Sequence, residues 1–398
     1  MNEKMMRKYA NMLARVGINV QPGQKVLVEA CVEGYEFANL FAEEAYKEGA
    51  KEVVIHYLDQ AFLKTKAQYQ SAEEVKKIHS WQNEMFQSVL DEGACTIRLQ
   101  GVNPKLMEDA TESQANAIFG WIDGMRNIMR KAAREQHCQW CIAMVPTLSW
   151  AELLFPEMEK EAALDKLWET LLKLCYITED NDVAEVWEKK NQLKQELGKK
   201  LDALHLKALH YTASNGTDLM VELCEHSHFS ASAPNMKIPF NANIPTEEIA
   251  TSPYKYGTSG VVYATRPLLL GGKKIENFGF RFEKGKVVEV MAEAGKEMLE
   301  NLIHTDEGAA YLGEAALVEY SSPISQSGLV YYTTLIDENA SCHLALGRAL
   351  SNSLETKEFF NDSSIHIDFM MGTSDMNIDG LTEEGVWIPV FRDGNFAL

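Results

Sequence analysis

Short apolar runs alternate with helix-length amphipathic stretches through the first half of this chain, and that alternation excludes most architectures. Residues 2–16 carry apolar positions at helical spacing and stop at Gly17; residues 25–30 (KVLVEA) form an apolar run just after the turn pair Pro22-Gly23. A helical stretch over 36–47 ends near Gly49, and the next apolar run is 52–57 (EVVIHY). Residues 95–99 and 138–145 repeat the strand pattern around a long helical stretch over 106–134, and 164–175 and 183–204 predict two more helices. The second of these is rich in lysine and glutamate that read as exposed. Strands joined through helices lie side by side in parallel, with the helices covering the faces. The expectation is an open, mostly parallel sheet.

Beyond residue 205 the pattern changes. Residues 206–212 and 218–223 flank Ser214-Asn215-Gly216-Thr217, a tight-turn signal, and a second hairpin over 277–293 turns at Glu283-Lys284-Gly285-Lys286. Short strands and glycine-rich turns then run to the C-terminus. The chain of 398 residues is long enough for two cores. It predicts an α/β domain over 1–204 followed by a β-rich α+β domain over 205–398, without an internal repeat.

Charge narrows the partners. The 38 basic and 58 acidic residues give a formal charge of −20, which argues against nucleic acid or an anionic membrane as the main partner. No apolar run approaches the roughly 20 residues of a membrane span, and the first nine residues are charged where a signal peptide needs an apolar core. Seven cysteines are scattered without a framework. A cytoplasmic protein with free thiols is expected. The pair Cys138/Cys141 has no second pair at zinc-finger spacing and reads as core. His226-Ser227-His228 reads as a polar loop, and Gly271-Gly272-Lys273-Lys274 as a turn, since it lacks the strand-to-helix context of a phosphate loop.

The last third carries metal-ligand chemistry. On a strand over 365–369, His366 and Asp368 point to one face and Ile365, Ile367 and Phe369 to the other. Imidazole beside carboxylate suits zinc, cobalt or manganese, although a buried hydrogen-bonded pair has the same pattern. Glu338 and His343 converge if a turn at Asn339-Ala340 leads into a helix near Ser341; the plainer reading makes Asp337 or Asn339 a helix cap. Residues 243–249 (NIPTEEI) look like a proline-initiated helix start with acids on its dipole. Glu314 stands in an otherwise apolar strand, where its carboxylate needs a cation or hydrogen bonds. Four carboxylates and two imidazoles are the inventory of a two-metal hydrolytic site.

The segments 243–249 (NIPTEEI), 313–318 (GEAALV), 334–347 (TLIDENASCHLALG) and 366–372 (HIDFMMG), with Ile378-Asp379-Gly380, resemble the thermophilic metallo-aminopeptidases of peptidase family M29, the aminopeptidase T, aminopeptidase S and PepS group. Tyr9-Ala10 through Val16-Gly17 and Pro22-Gly23-Gln24 are similar to the family's start, so the resemblance spans the chain. No HExxH pattern is present. The resemblance implies a site for two divalent ions (Zn, Co, Mn or Mg) built from Glu248, Glu314, Glu338, His343, His366 and Asp368. Glu248 rather than Glu247 matches the ligand position. Glu314 is the implied acceptor of the attacking water's proton. The implied activity is removal of N-terminal residues from short peptides with a free N-terminus, in a homodimer whose site faces an enclosed cavity.

One position departs from the family pattern. Where the family carries a tyrosine seven residues beyond the histidine, this chain has Leu350, which cannot donate a hydrogen bond to an oxyanion; Tyr331 or Tyr332 would have to substitute. Two other readings follow. One is a metal-dependent amidohydrolase acting on small amides; the other is a catalytically weakened metal-binding protein that binds peptides or serves as a scaffold.

Overall fold

The computed structural model describes residues 2–103, 106, 110–225, 227–231, 237–270, 273–350, 353 and 361–398. His226 and the Gly271-Gly272 turn lie outside the described residues. The chain divides into two compact units, Met1–Glu188 with Ala233–Pro245, and Lys189–Ser232 with Thr246–Leu398.

The first unit opens with the helix Glu3–Met12, capped by the Asn2 side chain and continued by a wide turn over Leu13–Gly17. Strands β1 (Lys25–Cys31), β2 (Glu52–Leu58), β3 (Cys95–Gln100) and β4 (Trp140–Met144) pair in parallel in the order β2-β1-β3-β4. This is the open parallel sheet that the alternation predicts. Between β2 and β3 stand three helices that the periodicity does not announce: Gln60–Tyr69, Ala72–Lys76 and Ser80–Asp91. Local capping explains the starts of the first two, since the Asp59 and Ser71 side chains accept from the backbone N–H groups of Phe62 and Glu74. Their apolar faces pack with the helix Glu112–Arg134 on Leu27, in a core that includes Leu63, Phe86, Ile118 and Ile122. Cys138 and Cys141 are buried free thiols.

The second unit is β-rich. Strands β5 (Leu206–Thr212) and β6 (Asp218–Leu223) form the expected hairpin, and β7 (Ser230–Ala231) follows. The chain then adds β8 (Asn243–Ile244) to the first unit's sheet, parallel to β4. Next come β9 (Ile249–Thr251), β10 (Pro253–Tyr263), β11 (Leu268–Leu270), β12 (Lys273–Glu283) and β13 (Lys286–Ala294), with β12 and β13 forming the second expected hairpin. The last strands are β14 (Leu312–Leu317), β15 (His343–Gly347), β16 (His366–Met370), β17 (Asn377–Thr382), β18 (Trp387–Arg392) and β19 (Asn395–Phe396). Among the described residues they make a nine-stranded sheet built on β11-β12-β10-β6-β5-β17-β18-β19, and a five-stranded antiparallel sheet β16-β15-β14-β9-β7. No helix among the described residues is long and apolar enough to cross a membrane.

Two local expectations are overturned. Residues 243–249 are not a helix start: the Glu247 N–H donates to the Asn339 side chain, and Ile249 enters the ladder of β9 with β14. No helix begins near Ser341 either. A short 3₁₀ turn, Glu338–Ala340, runs into β15 instead, because His343 to Leu346 pair with β14 and His343 to Gly347 with β16. Backbone hydrogen bonding across the sheet outweighs the local helix signals in both places.

Candidate metal centre

The five-stranded sheet has one apolar face and one face of ligand chemistry. Ala315, Leu317, Leu344, Leu346 and Phe369 join the core of the second unit. Residues directly opposed across an antiparallel pair share a face. The register therefore sets Glu314, Ala345 and Asp368 in one row, Ala250, Ala316, His343 and Met370 in the next, and Gly347 beside His366. Ala250, Ala316 and Ala345 are buried small residues on this face, beside the longer acid and imidazole side chains.

A bulge delivers Glu314 to this face. Leu312 pairs with Leu346 while Glu314 pairs with Ala345, so Gly313 is the extra residue. Without the bulge Glu314 would share the core-directed face of Leu312. Gly313 is needed because a Cβ there would lie 2.4 Å from the carbonyl oxygens of Gly347 and Arg348.

The side chains converge closely. His343 Nε2 lies 3.5 Å from Glu248 and 3.8 Å from Glu314. His366 Nε2 lies 3.0 Å from Glu314 and 3.3 Å from Asp368. These form two triads with ligand atoms in mutual reach, Glu248-Glu314-His343 and Glu314-His366-Asp368, which share Glu314. Glu338 is in neither triad; it is buried at the edge of the cluster. Glu247 turns away to pair with Lys190 at 2.9 Å.

The thermophilic metalloprotease (M29) family model matches residues 2–396. The chain belongs to this family. Aminopeptidase AmpS of Bacillus subtilis (strain 168) is 38% identical, over 98% of each chain. The solved structure of wild-type AmpT from Thermus thermophilus superposes with a TM-score of 0.93 at 35% identity, covering all of both chains. A 2,5-dihydroxypyridine dioxygenase from Pseudomonas putida KT2440 shares the fold alone, with a TM-score of 0.54 at 13% identity over 99% of this chain and 96% of the other. This M29 chain is thus a metallopeptidase, a peptide hydrolase by descent.

The donor set fits divalent ions on electrostatic grounds. Four buried or half-buried carboxylates facing neutral imidazoles carry four negative charges, far more than a low-dielectric site tolerates unbalanced. Without a cation, protons must balance the charge. Burial, then the charge of Glu314, pushes Glu248 up to about 7. Burial, then Asp368 and Glu248, pushes Glu338 well above the carboxylate range. Burial acts upward on Glu314 too, yet the neighbouring imidazoles of His343 and His366 prevail and hold it down to about 2. Burial opposes charge on His343, but Glu314 and Glu248 bring it up to about 10. Bound cations would take the place of those protons. The backbone also orients His366 as a ligand. Its other ring nitrogen, Nδ1, lies 2.7 Å from the Arg348 carbonyl and must carry the proton, leaving Nε2 for the site.

One lysine of the helix Val183–Ala203 departs from the exposed surface that its composition predicts. Lys194 is buried, donates to the Thr246 carbonyl at 3.1 Å and is pulled down to about 8 by burial. The sequence signal for it is its spacing: Lys190 and Lys194 stand one helical turn apart on the same face as Trp187 and Leu201, which are buried. The Tyr331 hydroxyl donates to Ser327 at 2.9 Å, and the Tyr332 ring lies under Lys274.

Proposed function

We propose that this chain is an aminopeptidase acting on short peptides with a free N-terminus, and that Glu248, Glu314, Glu338, His343, His366 and Asp368 hold two divalent ions (Zn, Co, Mn or Mg). The sharing of Glu314 between two donor triads is the observation that carries this reading. When bound, such ions supply Lewis acidity that makes a water acidic enough to attack near neutral pH and polarises the scissile carbonyl. Glu314 accepts the attacking water's proton and hands it to the leaving amine. The acidic surroundings favour the substrate's ammonium group over an N-acylated end. We also propose residues 205–398 as the catalytic domain, a homodimer whose enclosed cavity admits short peptides, and a cytoplasmic location.

The test is a substrate panel on protein stripped by chelator and reloaded with Co²⁺, Zn²⁺ or Mn²⁺. Aminoacyl-fluorophores and dipeptides should turn over. Hydrolysis of N-acylated but not free-amine substrates would favour the amidohydrolase, and no turnover of any N-terminal amide at full metal occupancy would reject the peptidase. Glu314→Gln should lose both ion affinity and turnover; if Glu338→Gln alone loses turnover with two ions kept, proton transfer belongs to Glu338. Leu350 gives a second reading its footing, a weakened peptide binder, because a leucine side chain has no hydrogen bond to donate to an oxyanion.

A further inference from the structure

Asn339 uses both ends of its side chain, and each end reaches a segment that carries a ligand. It is fully buried. Its Oδ1 accepts from the Glu247 N–H at 2.6 Å, 92 positions away in the chain, directly beside Glu248. Its Nδ2 donates to the Leu335 carbonyl at 3.3 Å and toward Glu338 Oε1 at 3.5 Å. The partners fix the amide's orientation, since a backbone N–H can only donate and a carbonyl can only accept. An acceptor at one end and a donor at the other is what an amide offers; aspartate lacks the donor and alanine lacks both.

We infer that Asn339 is a positioning residue that holds the Glu248 and Glu338 segments at a fixed separation and thereby sets the affinity of the ion site they border. This rests on the two-ion reading above. The 246–248 segment has independent anchors in Lys194, bonded to the Thr246 carbonyl, and Lys190, paired with Glu247. Replacing Asn339 therefore loosens the spacing of the ligands without releasing the segment. Groups that orient metal ligands from behind typically change affinity or activity by about 10–100-fold when altered.

The experiment is a Co²⁺ titration of stripped full-length protein, read by bound-metal analysis and by the visible d–d spectrum. Wild type should take up two ions. Asn339→Asp keeps an acceptor for the Glu247 N–H but loses the donor and sets a carboxylate against Glu338. It should bind one ion about 10–100-fold more weakly, with an altered spectrum. Asn339→Ala should weaken that ion at least as much; if it fails to fold, Asn339→Asp carries the test. Two ions bound with wild-type affinity and spectrum would overturn the inference, even with a lowered unfolding temperature, because Asn339 would then be merely structural. A wild type that takes up a single Co²⁺ would reject the two-ion reading instead, and the affinity of that one ion in the variants would still decide the role of Asn339.

Discussion

Leu350 follows His343 by seven positions, and its backbone is held from both sides. Its N–H donates to Ser252 Oγ at 3.2 Å, its carbonyl accepts from Ser353 Oγ at 3.0 Å, and the two hydroxyls lie 2.7 Å apart. A tyrosine placed at 350 would inherit that fixed backbone. We predict that Leu350→Tyr raises kcat by about 10²–10³-fold, the usual worth of one oxyanion donor, with Co²⁺ affinity unchanged. Steady-state kinetics beside a metal titration reads both; an unchanged kcat would mean that another group already donates. Some of the candidate ligands carry local signals in the sequence. His366 and Asp368 show a spacing of two, and Glu314 is a lone acid in an apolar run. The partners of Asn339 and Lys194 are not legible, since they lie 92 and 52 positions away, and Asn339 does not differ locally from a helix cap.

The strand β14 concentrates the demands of the site in one bulge. Gly313→Ala would drive a Cβ against two backbone carbonyls that cannot move without breaking the ladder. We predict a loss of about 3 kcal/mol or more, seen as a lower urea midpoint at unchanged slope, together with weaker metal binding as Glu314 shifts. The bulge is invisible in the sequence because a glycine before an acid is equally at home in a turn. The segments 243–249 and 338–343 mislead for a related reason: their caps and acids are helix signals, but the groups that bind their backbone come from other strands. In the first sheet, the buried Glu29 of β1 meets Arg126 at 2.6 Å. Burial acts to raise its pKa, but Arg126 outweighs it and the carboxyl is held below its ordinary value. A folded pKa below the unfolded one stabilises fully above the ordinary value of about 4.3 and is lost as pH falls through the folded value. Glu29→Gln should therefore cost about 3 kcal/mol at pH 7, by leaving Arg126 unpaired. That difference should narrow in denaturant melts below pH 4.

The chain carries a formal charge of −20, and several of its acids are gathered in a cluster of the second unit. Those acids work against folding unless something balances them, so bound ions would serve stability as well as chemistry. An ion that binds the folded protein and not the unfolded chain adds about 2.7 kcal/mol when its free concentration is a hundred times its Kd. The proposed ligands sit on β14, β15 and β16, just before β9, and in the turn before β15. The parallel strands β1 to β4 belong to a separate compact unit with its own core. Chelation should therefore lower the unfolding temperature and speed amide exchange in β9 and β14 to β16, while β1 to β4 keep their protection. Hydrogen exchange followed by mass spectrometry, with and without chelator, separates the cases. Loss of protection confined to the ligand sheet would identify the ions as part of that sheet's stability. A uniform change across both units would instead mean that the ions stabilise the chain only through global unfolding, and no change would mean that the protonated cluster is as stable as the metal-loaded one.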